Sequence, residues 1–114
     1  MTQKMELQEV LKKASPLTEA SYYILVALAE PLHGYGVMQK VEELSSGRVQ
    51  LGPGTLYGAL SNLQSFGLIE GVEDSGANDR RKLYRMTATG RKIAEYEIAR
   101  FDEMARHGRQ LLGM

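Results

Sequence analysis

The chain has 114 residues, 43% of them hydrophobic and 25% charged, which suits one soluble globular domain with a modest core. It has no cysteine, which excludes a disulfide framework and any thiolate metal site and fits a cytoplasmic protein. Its formal net charge of zero counts against a nucleic-acid partner, but the charge is unevenly placed: residues 1–79 hold 5 basic and 10 acidic side chains, residues 80–114 hold 9 and 4.

Residues 2–13 read as a short amphipathic helix with Met5, Leu7, Val10 and Leu11 as its apolar members. Ser15-Pro16 breaks it, and Ser15 or Thr18 is placed to cap the next helix. Residues 18–30 are apolar nearly all round (Tyr22, Ile24, Leu25, Val26, Leu28), as expected for a central helix packed on several sides, and Pro31 ends it. The run is too short for a membrane span, and nothing at the N-terminus resembles a signal peptide.

His33-Gly34-Tyr35-Gly36 reads as a turn into a helix over about 35–46, with Tyr35, Met38, Val41 and Leu44 as its inner stripe. His33 is a turn histidine on this reading. The chain has only one other histidine, His107, and no carboxylate stands at a ligand spacing. No nucleophile motif is present either, so neither a metal nor a catalytic residue is expected, and no cofactor is implied.

Residues 48–52 form an extended connection, with a minimal strand as an option. Pro53 opens the next helix at a position that tolerates proline. From there to Phe66, Leu56, Ala59, Leu60, Leu63 and Phe66 make one apolar face, while Thr55, Tyr57, Gly58, Ser61, Asn62 and Ser65 fall on the other. That second face is small, uncharged and rich in hydrogen-bonding groups. Gly58 inside the helix costs about 1 kcal/mol relative to alanine. Either close packing or close approach to a DNA backbone accounts for it. Gly67 fits the left-handed position after a helix end.

Two strands come next, about 68–73 and 81–86, around the polar loop 74–79. Arg80, Arg81 and Lys82 stand at this hairpin, placed to reach phosphates or to balance Glu70, Glu73, Asp74 and Asp79. Thr87 caps a final helix over 88–112, about 37 Å long. In it Ala94, Ile98, Phe101, Ala105, Gly108 and Leu112 follow the spacing of a heptad seam, with Ile93, Tyr96, Met104 and Leu111 on a neighbouring face. One small domain does not easily cover both faces, so one is expected to meet a partner chain. The alternative is one wide core-facing stripe.

The expected architecture is mainly α with a small β-hairpin (α+β): a winged helix-turn-helix over 1–87 with an N-terminal helix, then a C-terminal dimerisation helix over 88–114. The helix from Pro53 is the one expected to enter a DNA major groove.

These residues resemble the PadR family of bacterial transcriptional regulators. The resemblance lies in the Ile24-Leu25 to Leu28 helix, His33-Gly34-Tyr35, Gly54-Thr55-Leu56-Tyr57 with Leu60 and Leu63, Gly67-Leu68-Ile69, and Arg81-Lys82-Leu83-Tyr84-Arg85-Met86-Thr87 with Gly90-Arg91. It covers about residues 17–91 and matches the short class of the family. It implies a homodimer, usually a repressor, acting on double-stranded DNA at a palindromic operator.

By that analogy Thr55 and Tyr57 begin the DNA-facing surface, with Gly58, Ser61 and Asn62 following and Arg80, Arg81 and Lys82 on the wing. The resemblance implies that the C-terminal helix meets the partner, and the heptad spacing puts that expected contact at Ala94, Ile98, Phe101, Ala105 and Leu112. Some relatives bind planar aromatic compounds between protomers, which makes Phe101 and Met104 candidate effector contacts. One departure matters: residues 53–67 contain no lysine or arginine, so bidentate guanine reading by arginine is excluded there. An uncharged helix of this kind also suits a winged-helix protein-interaction module that does not bind DNA.

Overall fold

A computed structural model describes residues 6–72 and 82–114. The elements in chain order are α1 (Leu7–Ala14), α2 (Glu19–Ala27), β1 (Leu32–His33), α3 (Gly34–Leu44), α4 (Pro53–Ser65), β2 (Ile69–Val72), β3 (Leu83–Met86) and α5 (Ala88–Leu112). Among the described residues the fold is α+β, five helices with a small antiparallel sheet.

The sheet has three strands in the order β1-β3-β2. β2 pairs with β3 from Ile69↔Met86 to Val72↔Leu83, and β1 adds Leu32↔Tyr84 and His33↔Leu83 on the far edge. The third strand departs from the sequence pattern, in which His33 reads as part of a turn. Two residues carry no strand period of their own, and they are extended because β3 offers an edge to pair with. No strand forms over 48–52, which has no such edge.

α2 is the centre of the core and packs against α3, α4 and α5. Its Ile24, Leu25 and Leu28 are fully buried with Val37, Val41, Leu56, Leu60, Leu63, Leu68, Ile69 and Ile93 around them. Thr18 caps it, its hydroxyl accepting from the Ser21 N–H at 3.0 Å. In α3 the inner stripe is Gly34, Val37, Met38 and Val41; of the expected stripe Met38 and Val41 face inward, while Tyr35 and Leu44 do not. The helix starts one residue early, at Gly34; Tyr35 in its first turn is 62% exposed, and Leu44 sits in its last turn beyond the core.

The corner between α4 and α5 is tightly fastened. Gly67 adopts the left-handed conformation (φ 76°), which lets the Leu68 N–H reach the Leu63 carbonyl at 2.9 Å and close α4. Thr87 caps α5 by accepting from the Gly90 N–H at 3.0 Å, and its hydroxyl donates to the Gly67 carbonyl at 2.7 Å. Gly90 lies directly under the Leu68 carbonyl, where a Cβ would collide with backbone.

α5 is buried only along its first half, at Gly90, Ile93, Ala94 and Glu97. Glu97 has no exposed surface, although nothing in the sequence pattern marks it as buried. Its carboxylate accepts from the Ser15 hydroxyl at 2.7 Å, the Leu17 N–H at 2.9 Å and the Arg100 guanidinium at 2.8 and 3.0 Å. Burial pushes its pKa up, but the bonds from Arg100, Ser15 and Leu17 outweigh that and hold it at about 2. The α1–α2 connection is thereby tied to α5. Past Glu97, Ile98, Met104, Leu111 and Leu112 are exposed, the last at 75%.

Candidate nucleic-acid interface

α4 is held by one face and open on the other. Leu56, Leu60 and Leu63 are buried against α2, and Ala59 and Phe66 pack at their margin. Gly54, Thr55, Tyr57, Gly58, Ser61, Asn62, Gln64 and Ser65 are all exposed. The two faces divide as the 3.6-residue period requires. Pro53 opens the helix with no side-chain cap at Gly52, and the Leu56 N–H bonds to the Gly52 carbonyl at 2.9 Å. Ser65 is turned back on its own helix, donating to the Asn62 carbonyl at 2.7 Å.

Tyr57 is half exposed, and its ring leans over the first turn of α3. Its hydroxyl oxygen lies 2.6 Å from where a Cβ on residue 34 would stand, so glycine at 34 is what admits the ring. Nothing comes within 4 Å of a Cβ built on Gly58, which removes close packing as the reason for that glycine.

The base of the wing stands beside this helix. Lys82 is exposed, its ammonium 5.8 Å from the centroid of the Tyr84 ring. Arg80 and Arg81 lie outside the described residues. His33 Nδ1 is 3.0 Å from the Lys82 carbonyl, which can only accept, so this contact needs the Nδ1–H tautomer and ties β1 to β3. The contact is structural, and it belongs to a strand residue and not to the expected turn. Across the strands Arg85 pairs with Glu70 at 2.7 Å, an exposed bridge of small energetic weight. Among the described residues no three histidine, cysteine or carboxylate side chains are grouped to hold a metal.

The C-terminal residues divide. Ala94, expected at a dimer seam, is 4% exposed in this chain's own core, because a heptad seam and a core stripe share spacing along the first turns of α5. Ile98, Ala105 and Leu112 are exposed, and Phe101 is partly buried. Phe101 meets Tyr22 edge-on, centroids 4.9 Å apart at 88°, and Tyr22 meets Tyr23 at 6.0 Å. With Leu17 and Glu19 these rings line a concavity of about 320 Å³. Burial, then Tyr23, Asp102 and Glu97, raise the Tyr22 hydroxyl pKa. Met104 does not line this concavity and instead receives the Arg100 guanidinium at 3.6 Å. The sequence does not mark Tyr22 and Tyr23 as components of an aromatic site, since in an apolar run they read as core.

Helix α4 exposed on one face, preceded by α3 and followed by a hairpin wing with a third strand, defines a winged helix-turn-helix domain. The chain belongs to the transcriptional regulator PadR-like family, whose model matches residues 24–96. It is 40% identical over 80 residues to a Streptomyces fradiae protein described as an uncharacterized 37.1 kDa protein in transposon TN4556. That match takes in 69% of this chain but spans only 22% of that protein's length.

Among solved structures it is similar to a PadR family transcription regulator from Clostridium difficile, at 25% identity and a TM-score of 0.67 over 81% of this chain and 97% of that one. It also resembles a PadR-like transcriptional regulator from Bacillus cereus, at 24% identity and a TM-score of 0.68 over 91% and 96%. The family is one of transcriptional regulators, not of enzymes. Among the described residues no helix is long and apolar enough to cross a membrane.

Proposed function

We propose that this chain is a cytoplasmic, DNA-binding transcriptional repressor that acts as a homodimer on an inverted-repeat operator. The observation that carries this is α4: its apolar face is locked into the core, and its exposed face offers Thr55, Tyr57, Gly58, Ser61 and Asn62 beside Lys82 at the wing. Arg80 and Arg81 precede Lys82 in the chain and add to the positive charge there. Phosphate contacts from the wing and from Thr55 and Tyr57 supply most of the affinity, and Ser61 and Asn62 meet base edges, Asn62 being suited to adenine.

A second copy of the chain supplies the cover for the exposed residues of α5, with Ile98, Phe101, Ala105 and Leu112 at the contact. The domain 1–87 then reads DNA while 88–114 pairs the copies. Two recognition helices about 34 Å apart suit successive major grooves. The concavity beside Tyr22, Tyr23 and Phe101 suits a small planar aromatic effector, with Met104 further along the helix. Such a ligand releases DNA only if it binds one dimer geometry better than the other.

The uncharged face of α4 favours a second reading, a winged-helix module that docks on a protein. Selection from a pool of random duplex DNA at two salt concentrations separates them. Recovery of an inverted repeat, with affinity falling steeply as salt rises, is the expected result. A folded dimer that enriches nothing at either salt refutes DNA binding by the protein alone and leaves the docking module.

A further inference from the structure

The fold gives no reason for Gly58. It sits in the middle of α4, where glycine disfavours the helix relative to alanine. A Cβ there meets nothing within 4 Å, and Gly58 is not among the glycines with positive φ, which among the described residues are Gly47, Gly67 and Gly113. Neither packing nor backbone conformation requires it. Its neighbours one turn away on the exposed face are Gly54 and Thr55 before it and Ser61 and Asn62 after it, the Tyr57 ring beside it leans away over Gly34, and no lysine or arginine stands between 53 and 67.

Side chains this short reach base edges only when the helix axis lies deep in the groove. A helix seated that deeply brings its backbone at residue 58 against whatever projects furthest from the base pairs, and in the major groove that is the 5-methyl group of thymine. We infer that Gly58 is the point of closest approach between α4 and DNA, that it lies over a thymine methyl, and that each half-site therefore carries a thymine there. The inference rests on the DNA-binding reading above and adds to it a residue that sets depth and a base that fits beneath it.

The test uses the whole chain and the operator recovered by selection, with Gly58→Ala as the variant and duplexes in which each core thymine in turn is replaced by uracil, which lacks the methyl. At equal protein concentration the variant is expected to melt about 4 °C higher, because alanine favours the helix. It is expected to bind the operator about 10-fold more weakly. Uracil at one core position should restore most of that affinity to the variant and change the wild type by less than about 3-fold.

Operator binding by the variant that equals or exceeds wild type overturns the inference. So does a loss that no uracil substitution recovers, or a lower melting temperature. Failure of the wild type to select any sequence instead overturns the DNA-binding reading, and this inference with it.

Discussion

Replacing Glu97 with glutamine removes the one buried charge among the described residues and keeps its shape. The carboxylate receives four short hydrogen bonds, two of them from Arg100, and its pKa falls from 4.5 to about 2. A depression of that size corresponds to about 3 kcal/mol of stability at neutral pH. Because the folded pKa is the lower one, this stability is present in full above about pH 5 and is lost as pH falls from about 4.5 toward about 2. At pH 3 about 2 kcal/mol of it is already gone.

Urea unfolding of wild type and Glu97→Gln at matched protein concentration, from pH 7 to pH 2.5, reads this directly. The variant should be less stable by about 2–3 kcal/mol at pH 7, and the gap should close as the pH drops. A gap that stays constant with pH would refute the assignment of the stabilisation to the ionised carboxylate. A gap near zero at pH 7 would show that Arg100, which is partly exposed, adds nothing to folding through this pair.

Gly90→Ala drives a methyl group into the Leu68 backbone carbonyl and toward Met86 Cγ, 3.1 Å away, so it should lower stability by about 2 kcal/mol or more, seen as a fall in melting temperature. An unchanged melting temperature would mean that α5 does not seat against the α4–β2 turn as described. Ile98→Asp changes a residue already 43% exposed in the single chain, so its helical circular dichroism should match wild type while sedimentation shows a monomer. A variant that still sediments as a dimer would place the contact elsewhere.

What the sequence made legible is local. The split between the two faces of α4, the turn at Gly67, the cap at Thr87 and the hairpin all follow from patterns within a dozen residues, and the family followed from their order. Two of the misses are long-range. β1 exists because β3 passes by, 49 residues later in the chain for His33 and Lys82. The burial of Glu97 depends on Ser15 and Leu17, 82 and 80 residues away, and an i, i+3 pair with Arg100 reads in sequence as ordinary surface charge. Ala94 shows the limit of periodicity: the spacing identifies a face without saying whether that face meets the chain itself or another molecule. Tyr35 and Leu44 show a different limit: they share the helical spacing of Met38 and Val41 but stand at the two ends of α3, 62% and 57% exposed.

The corner at Gly67, Thr87 and Gly90 fixes the angle at which α5 leaves the end of α4. A tilt of about 10° at that corner carries the far end of a 25-residue helix through about 6 Å. Run in reverse, a shift of about 1 Å at Leu112 turns the corner by less than about 2°, whereas the same shift at Phe101, about half way along, turns it by about 3°. The same displacement beside Tyr22 and Phe101 therefore corresponds to about twice the change of angle that it does at the tip.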